Sequence, residues 1–173
     1  MDGAGGAEAQ AAATRGTARR IGRTAAFLGR DPRARSTIGP AGMSEPTHLE
    51  RAVLHAMLEG AHPALVQLRE QLHGLSVVHR VATPTSFSTR LRPARGAPRA
   101  PVAAARAVLD DLHADVPGLS GGAAFALFVE DGWLSRLEGS TYGGEPWPDD
   151  LAGFTLHHDD PERDLSDLDA PEP

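Results

Sequence analysis

The sequence predicts an α+β domain in which an N-terminal helical hairpin packs on an antiparallel β-sheet of four to five strands, with disordered termini. Three observations lead there. Apolar residues recur at helical spacing from Leu49 to Leu72. After Gly74 the apolar period changes from 3.6 to 2. Finally, Asp131-Gly132 sits between the apolar runs Ala123 to Val129 and Trp133 to Leu137. Asp-Gly in that setting is a strong hairpin signal, because a type I′ turn needs positive φ at both central residues.

The elements follow in chain order. Thr47-His48-Leu49-Glu50 fits a capping box, which predicts a helix from about His48 to Glu59 with Leu49, Val53, Ala56 and Met57 on its buried face. Gly60 stops it, and Pro63 opens a second helix carrying Leu65, Leu68 and Leu72. Leu75 to Ala82 and Thr85 to Arg92 read as strands. The second has Phe87, Thr89 and Leu91 buried, while Ser86, Ser88, Arg90 and Arg92 form a wet, basic face. Residues 93–107, rich in Pro, Arg and Ala, read as a mobile loop.

Val108 to Val116 alternates again, with Val108, Leu112, Ala114 and Val116 on one side and Leu109, Asp111, His113 and Asp115 on the other. A two-residue Asp131-Gly132 turn pairs Val129 with Leu134, Leu127 with Arg136 and Phe125 with Glu138. A short strand is expected at Phe154 to Leu156.

Residues 43–156 therefore form one domain, in keeping with a length of 173 residues. Residues 1–42 are an Ala/Gly/Arg-rich extension expected to be disordered. Met43 opens a natural protein start, so a mis-assigned start accounts for that extension as well as a genuine leader does. Residues 157–173 are expected to form an acidic disordered tail. The net charge of −6 is uneven: +4 over residues 1–42, −4 over 43–158 and −6 over 159–173. No segment is basic enough for a folded nucleic-acid surface, and no window approaches a membrane span. Without cysteine there is no disulfide or thiolate chemistry. These features point to a cytoplasmic protein.

The segments Phe128-Val129-Glu130-Asp131-Gly132, Leu137-Glu138-Gly139, Thr141-Tyr142-Gly143 and Glu145-Pro146-Trp147-Pro148 resemble a family of small uncharacterised bacterial proteins. The likeness spans about Thr47 to Phe154. It departs at Ser140, where the family pattern has an aromatic residue, and in the loop after Arg92. The resemblance implies an α+β fold and a domain boundary, and lends no catalytic residue.

Candidate chemistry is sparse. Gly118-Leu119-Ser120-Gly121-Gly122 matches the nucleophile-elbow pattern, but Pro117 precedes it and a strand follows, where an elbow needs a strand and then a helix. Asp111, His113 and Asp115 share one strand face and could ligate a divalent metal, although a solvated strand face explains them as well. With Glu138 they form the alternative reading of a small metal-dependent protein or enzyme. Tyr142, Glu145 and Trp147 lie in a Gly/Pro-rich loop after the hairpin, where rigid aromatics build recognition surfaces or fold back onto the core. The leading expectation is a non-catalytic protein-interaction module that uses the 139–148 loop, Glu138 and a sheet edge. Its partner is another protein or a second copy, and no cofactor is expected.

Overall fold

The computed structural model describes residues 44–149, 151, 153–160 and 162–169, together with the backbone of Arg35–Ser36. Residues 1–34, 37–43 and 170–173 lie outside the described residues, and so do the expectations made for them. The elements are β1 (Arg35–Ser36), α1 (His48–Met57), α2 (Pro63–Glu70), β2 (Ser76–Ala82), β3 (Ser86–Arg92), β4 (Arg106–Asp115), β5 (Ala123–Glu130), β6 (Trp133–Thr141) and β7 (Thr155–His158). The strands form one antiparallel sheet in the order β1-β2-β3-β6-β5-β4-β7. Six of these seven strands have four or more residues, against the four to five expected.

Helix α1 begins at the anticipated capping box. The Thr47 hydroxyl accepts from the Glu50 amide at 3.2 Å, and the Glu50 carboxylate accepts from the Thr47 amide at 2.7 Å. Leu49, Val53, Leu54 and Met57 of α1 and Leu65 and Leu68 of α2 are buried with Leu112, Phe125, Leu127 and Leu137 in one core on a single face of the sheet.

The β5–β6 turn is the expected type I′, with φ of 49° at Asp131 and 77° at Gly132. The expected register holds only at Val129–Leu134. A bulge at Ser135 displaces the rest by one residue, so that Phe128 faces Arg136, Leu127 faces Leu137 and Phe125 faces Gly139. The one-residue shift moves Arg136 and Glu138 off the core face and brings Leu137 onto it. A second bulge, at Asp110–Asp111, puts both Leu109 and Leu112 in the core. Val108 therefore lies on the opposite face from Leu112, contrary to simple alternation.

Residues 93–105 must carry the chain from β3 past β6 and β5 to β4, so they cross the tip of the hairpin. The Ala100 amide donates to Gly132 O, the Asp131 amide to Ala105 O and Arg99 Nε to Asp131 O. A Cβ on Gly132 would overlap Ala100 O. Gln71, fully buried, completes the junction: its side-chain amide donates to Pro98 O and Gly132 O and accepts from the Leu134 amide, each at 2.8 Å. The loop expected to be mobile is therefore tied down at these points.

The segment from His157 also departs from expectation. His157 and His158 belong to β7, Leu168 is fully buried in the core, and Arg163 threads between Asp111 and the C-terminal carbonyls of α1. The acidic composition concealed one buried leucine and one bridging arginine, and these two residues dock the segment.

Candidate functional site

Helices cover one face of the sheet. The other face has no covering element among the described residues, and two cross-strand rows organise it. His79, Arg90, Arg136, Phe128 and Val108 are successive partners across β2, β3, β6, β5 and β4. Parallel to them run Ser86, Ser140, Ala124, His113 and His157. Glu138 lies between the rows, flanked by Ser88 and Ala126.

In the first row Arg90 and Arg136 are directly opposed, an arrangement of like charges that is unfavourable unless a counter-charge compensates. Arg136 is partly relieved. Its guanidinium lies 4.0 Å from the Phe128 ring centroid, and its Nε is 3.2 Å from Glu138 Oε1. That second contact is off the hydrogen-bonding line, so it is a charge contact that leaves the buried Nε without an aligned acceptor. Glu138 also accepts from the Ser88 hydroxyl at 3.3 Å. Arg90 and Arg92 are exposed and meet no carboxylate among the described residues.

At the far end of the second row, Tyr142 leaves β6 and reaches across the face. Its hydroxyl is 2.6 Å from His113 Nδ1, with the two rings stacked at 5.8 Å. The lane it crosses is kept clear by Ala124, and a Cβ on Gly121 would lie 2.9 Å from Tyr142 Cβ. His113 Nε2 is 2.7 Å from Asp159 Oδ1, again an electrostatic contact off the hydrogen-bonding line. Burial, followed by the Asp159 charge, pushes the Tyr142 phenol above its ordinary value. His157 stacks on His113 at 5.9 Å and lies 3.9 Å from Asp115.

The other anticipated residues are placed separately. Asp111 turns to the helix side, where it accepts from Arg163 Nε at 2.5 Å and Nη2 at 3.0 Å and lies 3.0 Å from His158 Nδ1. Burial raises its carboxyl, but the bonds and charge of Arg163, with His158, outweigh this and hold it below the usual range. Asp111 and His113 therefore serve different partners, and Glu138 is two strands away on β6. Among the described residues no group of three or more His, Asp or Glu side chains could hold a metal ion.

Glu145 accepts from the Ser120 amide at 2.8 Å and from its hydroxyl at 3.0 Å, and these bonds lower its carboxyl. It braces the glycine-rich turn, and β5 rather than a helix follows Ser120. Trp147 folds back onto Phe87 and Phe125, at 5.8 and 6.3 Å between ring centroids. Gly139 makes that cluster possible, because a side chain there would overlap the Phe87 ring.

The cavities are modest. One of about 220 Å³ is lined by residues including Leu54, His55 and Leu75, and another of about 310 Å³ by residues including Asp115, Ser120 and Thr155. Neither adjoins the arginine row. The basic face of β3 is visible in the sequence, whereas the placing of Arg136 and Phe128 beside it depends on the β6 bulge, which no local motif marks. No known protein family, curated protein or solved structure matches this chain.

Proposed function

We propose that the chain is a non-catalytic protein-interaction module whose contact surface is the open face of the sheet, centred on Arg90, Arg136 and Phe128, with Tyr142 at its far end. The observation that carries this reading is the directly opposed Arg90–Arg136 pair on a face with no covering element among the described residues. Like charges held against each other across a ladder favour a carboxylate-bearing partner. An arginine stacked on a phenylalanine is also the type of rigid, amphipathic anchor that dominates binding energy at interfaces. Within the 139–148 loop, Tyr142 belongs to this surface, whereas Glu145 and Trp147 brace the scaffold beneath it.

The test places a photo-crosslinking side chain at Ser88, beside the arginine row, or at Val66, exposed on α2, in the full chain expressed in cells. Protein adducts that form from position 88, not from 66, and that disappear with Arg136→Glu are the expected result. The absence of adducts from position 88, or the same adducts from both positions, would overturn the reading.

A further inference from the structure

The open face carries opposite charges at its two ends. At one, Arg90 and Arg92 stand exposed beside Arg136, with no carboxylate on Arg90 or Arg92 among the described residues. At the other, the Asp115 and Asp159 side chains are 82% and 67% exposed, with His157 and His113 as their neighbours. Between the two ends β5 presents only Ala124 and Ala126, before Phe128.

We propose that the partner of this face is a second copy of the chain, packed sheet to sheet so that the arginine end of each copy lies on the aspartate end of the other. This inference rests on the interaction reading above and names its partner. A two-fold axis lying between two facing sheets can exchange the two ends of the face, so each arginine–aspartate contact occurs twice. Facing sheets pack about 10 Å apart. Ala126 leaves the centre of the face low between Phe128 and the Tyr142 ring, which crosses Ala124 to reach His113, so a second sheet can approach there. A foreign acidic surface would answer the arginines but set like charge against the exposed sides of Asp115 and Asp159. A second copy answers both ends with groups already on the chain. The Arg90–Arg136 opposition acquires its counter-charge, and Phe128 gains a desolvated setting in which the stacked arginine binds more strongly.

The test is sedimentation velocity of the full chain over rising concentration and salt. A monomer–dimer equilibrium that weakens with salt is expected, as for an interface built on charge pairs. Arg90→Glu and Asp115→Arg should each weaken dimerisation by at least about 10-fold, since each sets like charges together at two symmetric contacts. An equimolar mixture of the two variants should recover the dimer, because both contacts then become opposite-charge pairs. Far-UV circular dichroism of each variant, unchanged from wild type, verifies that the fold is retained. A wild-type chain that stays monomeric up to about 100 μM, where even a weak specific dimer would be populated, overturns the inference. So does a dimer that neither reversal affects, or a mixture that fails to recover. If the chain is monomeric but Ser88 still crosslinks to a different protein, self-association fails and the interaction reading stands.

Discussion

Replacing Glu50 should destabilise the domain more than replacing any other charged residue on α1. Its carboxylate is only 2% exposed and takes four hydrogen bonds: from the Thr47 amide, from the fully buried Thr89 hydroxyl, and from Arg80 Nε and Nη2 at 3.0 and 2.7 Å. Glu50→Ala removes the acceptor for all of them. Stranding the Thr89 hydroxyl costs about 1–3 kcal/mol, and losing the capping box about 1 kcal/mol more. Arg80, 27% exposed, can turn partly to water, so losing its partner adds only about 1 kcal/mol. The total is about 3–5 kcal/mol, a large share of the roughly 5–15 kcal/mol that holds a domain together. Equilibrium urea unfolding followed by circular dichroism measures it. A loss below about 1 kcal/mol would refute the reasoning, since it is within the range of ordinary surface changes.

The same residue sets a pH dependence. Burial alone would raise the Glu50 carboxyl, but the bonds from Arg80, Thr89 and Thr47 and the Arg80 charge hold it below its ordinary value of 4.5. A carboxyl depressed in the folded state stabilises fully above its unfolded pKa, and that contribution is lost as pH falls through the folded value. Glu50→Gln should therefore flatten the acid limb of the stability curve below about pH 4.5 and leave its slope near neutrality unchanged.

Other outcomes follow from the same structure. Gln71→Ala should cost about 3 kcal/mol by orphaning Pro98 O and the Leu134 amide and removing one of the two donors to Gly132 O, which keeps the Ala100 amide, measured by urea unfolding. Gly139→Ala should destabilise by about 1–3 kcal/mol through overlap with Phe87, and should alter the near-UV signal of the adjoining Trp147. Arg163→Ala should accelerate amide hydrogen exchange over residues 159–168 and leave β5 and β6 protected, because that side chain ties the segment to Asp111, Met57 O and Glu59 O. Tyr142 is the only tyrosine, so absorbance titration reports it alone: its midpoint should lie above 10.0 and fall in Asp159→Asn.

Local rules read from the sequence performed well where a single residue type determines the backbone. Thr47 and Glu50 mark the start of α1, Pro63 opens α2, and Asp131-Gly132 forms its turn, each through chemistry confined to a few neighbours. The failures arose wherever one extra residue entered a ladder. Alternation counts positions, and neither Ser135 nor Asp110–Asp111 carries a local sign that a partner strand will pass over it. The faces of Arg136, Glu138 and Val108 were misread for that reason alone. Composition misled at the C-terminal end, where seven acids among the last fifteen residues outweighed the single buried Leu168 in any average. Of the site, the basic face of β3 was legible. The Tyr142–His113–Asp159 contact was not, because it joins residues far apart in sequence through a lane cleared by Gly121 and Ala124.

The bulge in β4 also determines where the chain can vary in length. On its two sides, Ala107–Leu109 and Leu112–Ala114 keep separate pairings with β5, joined by Asp110–Asp111, which answer no partner one for one. Deleting either aspartate lets the two halves close into an uninterrupted ladder with every core side chain still inward. Deleting a residue three positions away leaves the bulge in place and turns the strand residues beyond the deletion to the opposite face. The bulge is the slack in the β4 ladder, the point at which an insertion or deletion is absorbed locally and does not propagate through the register of the sheet.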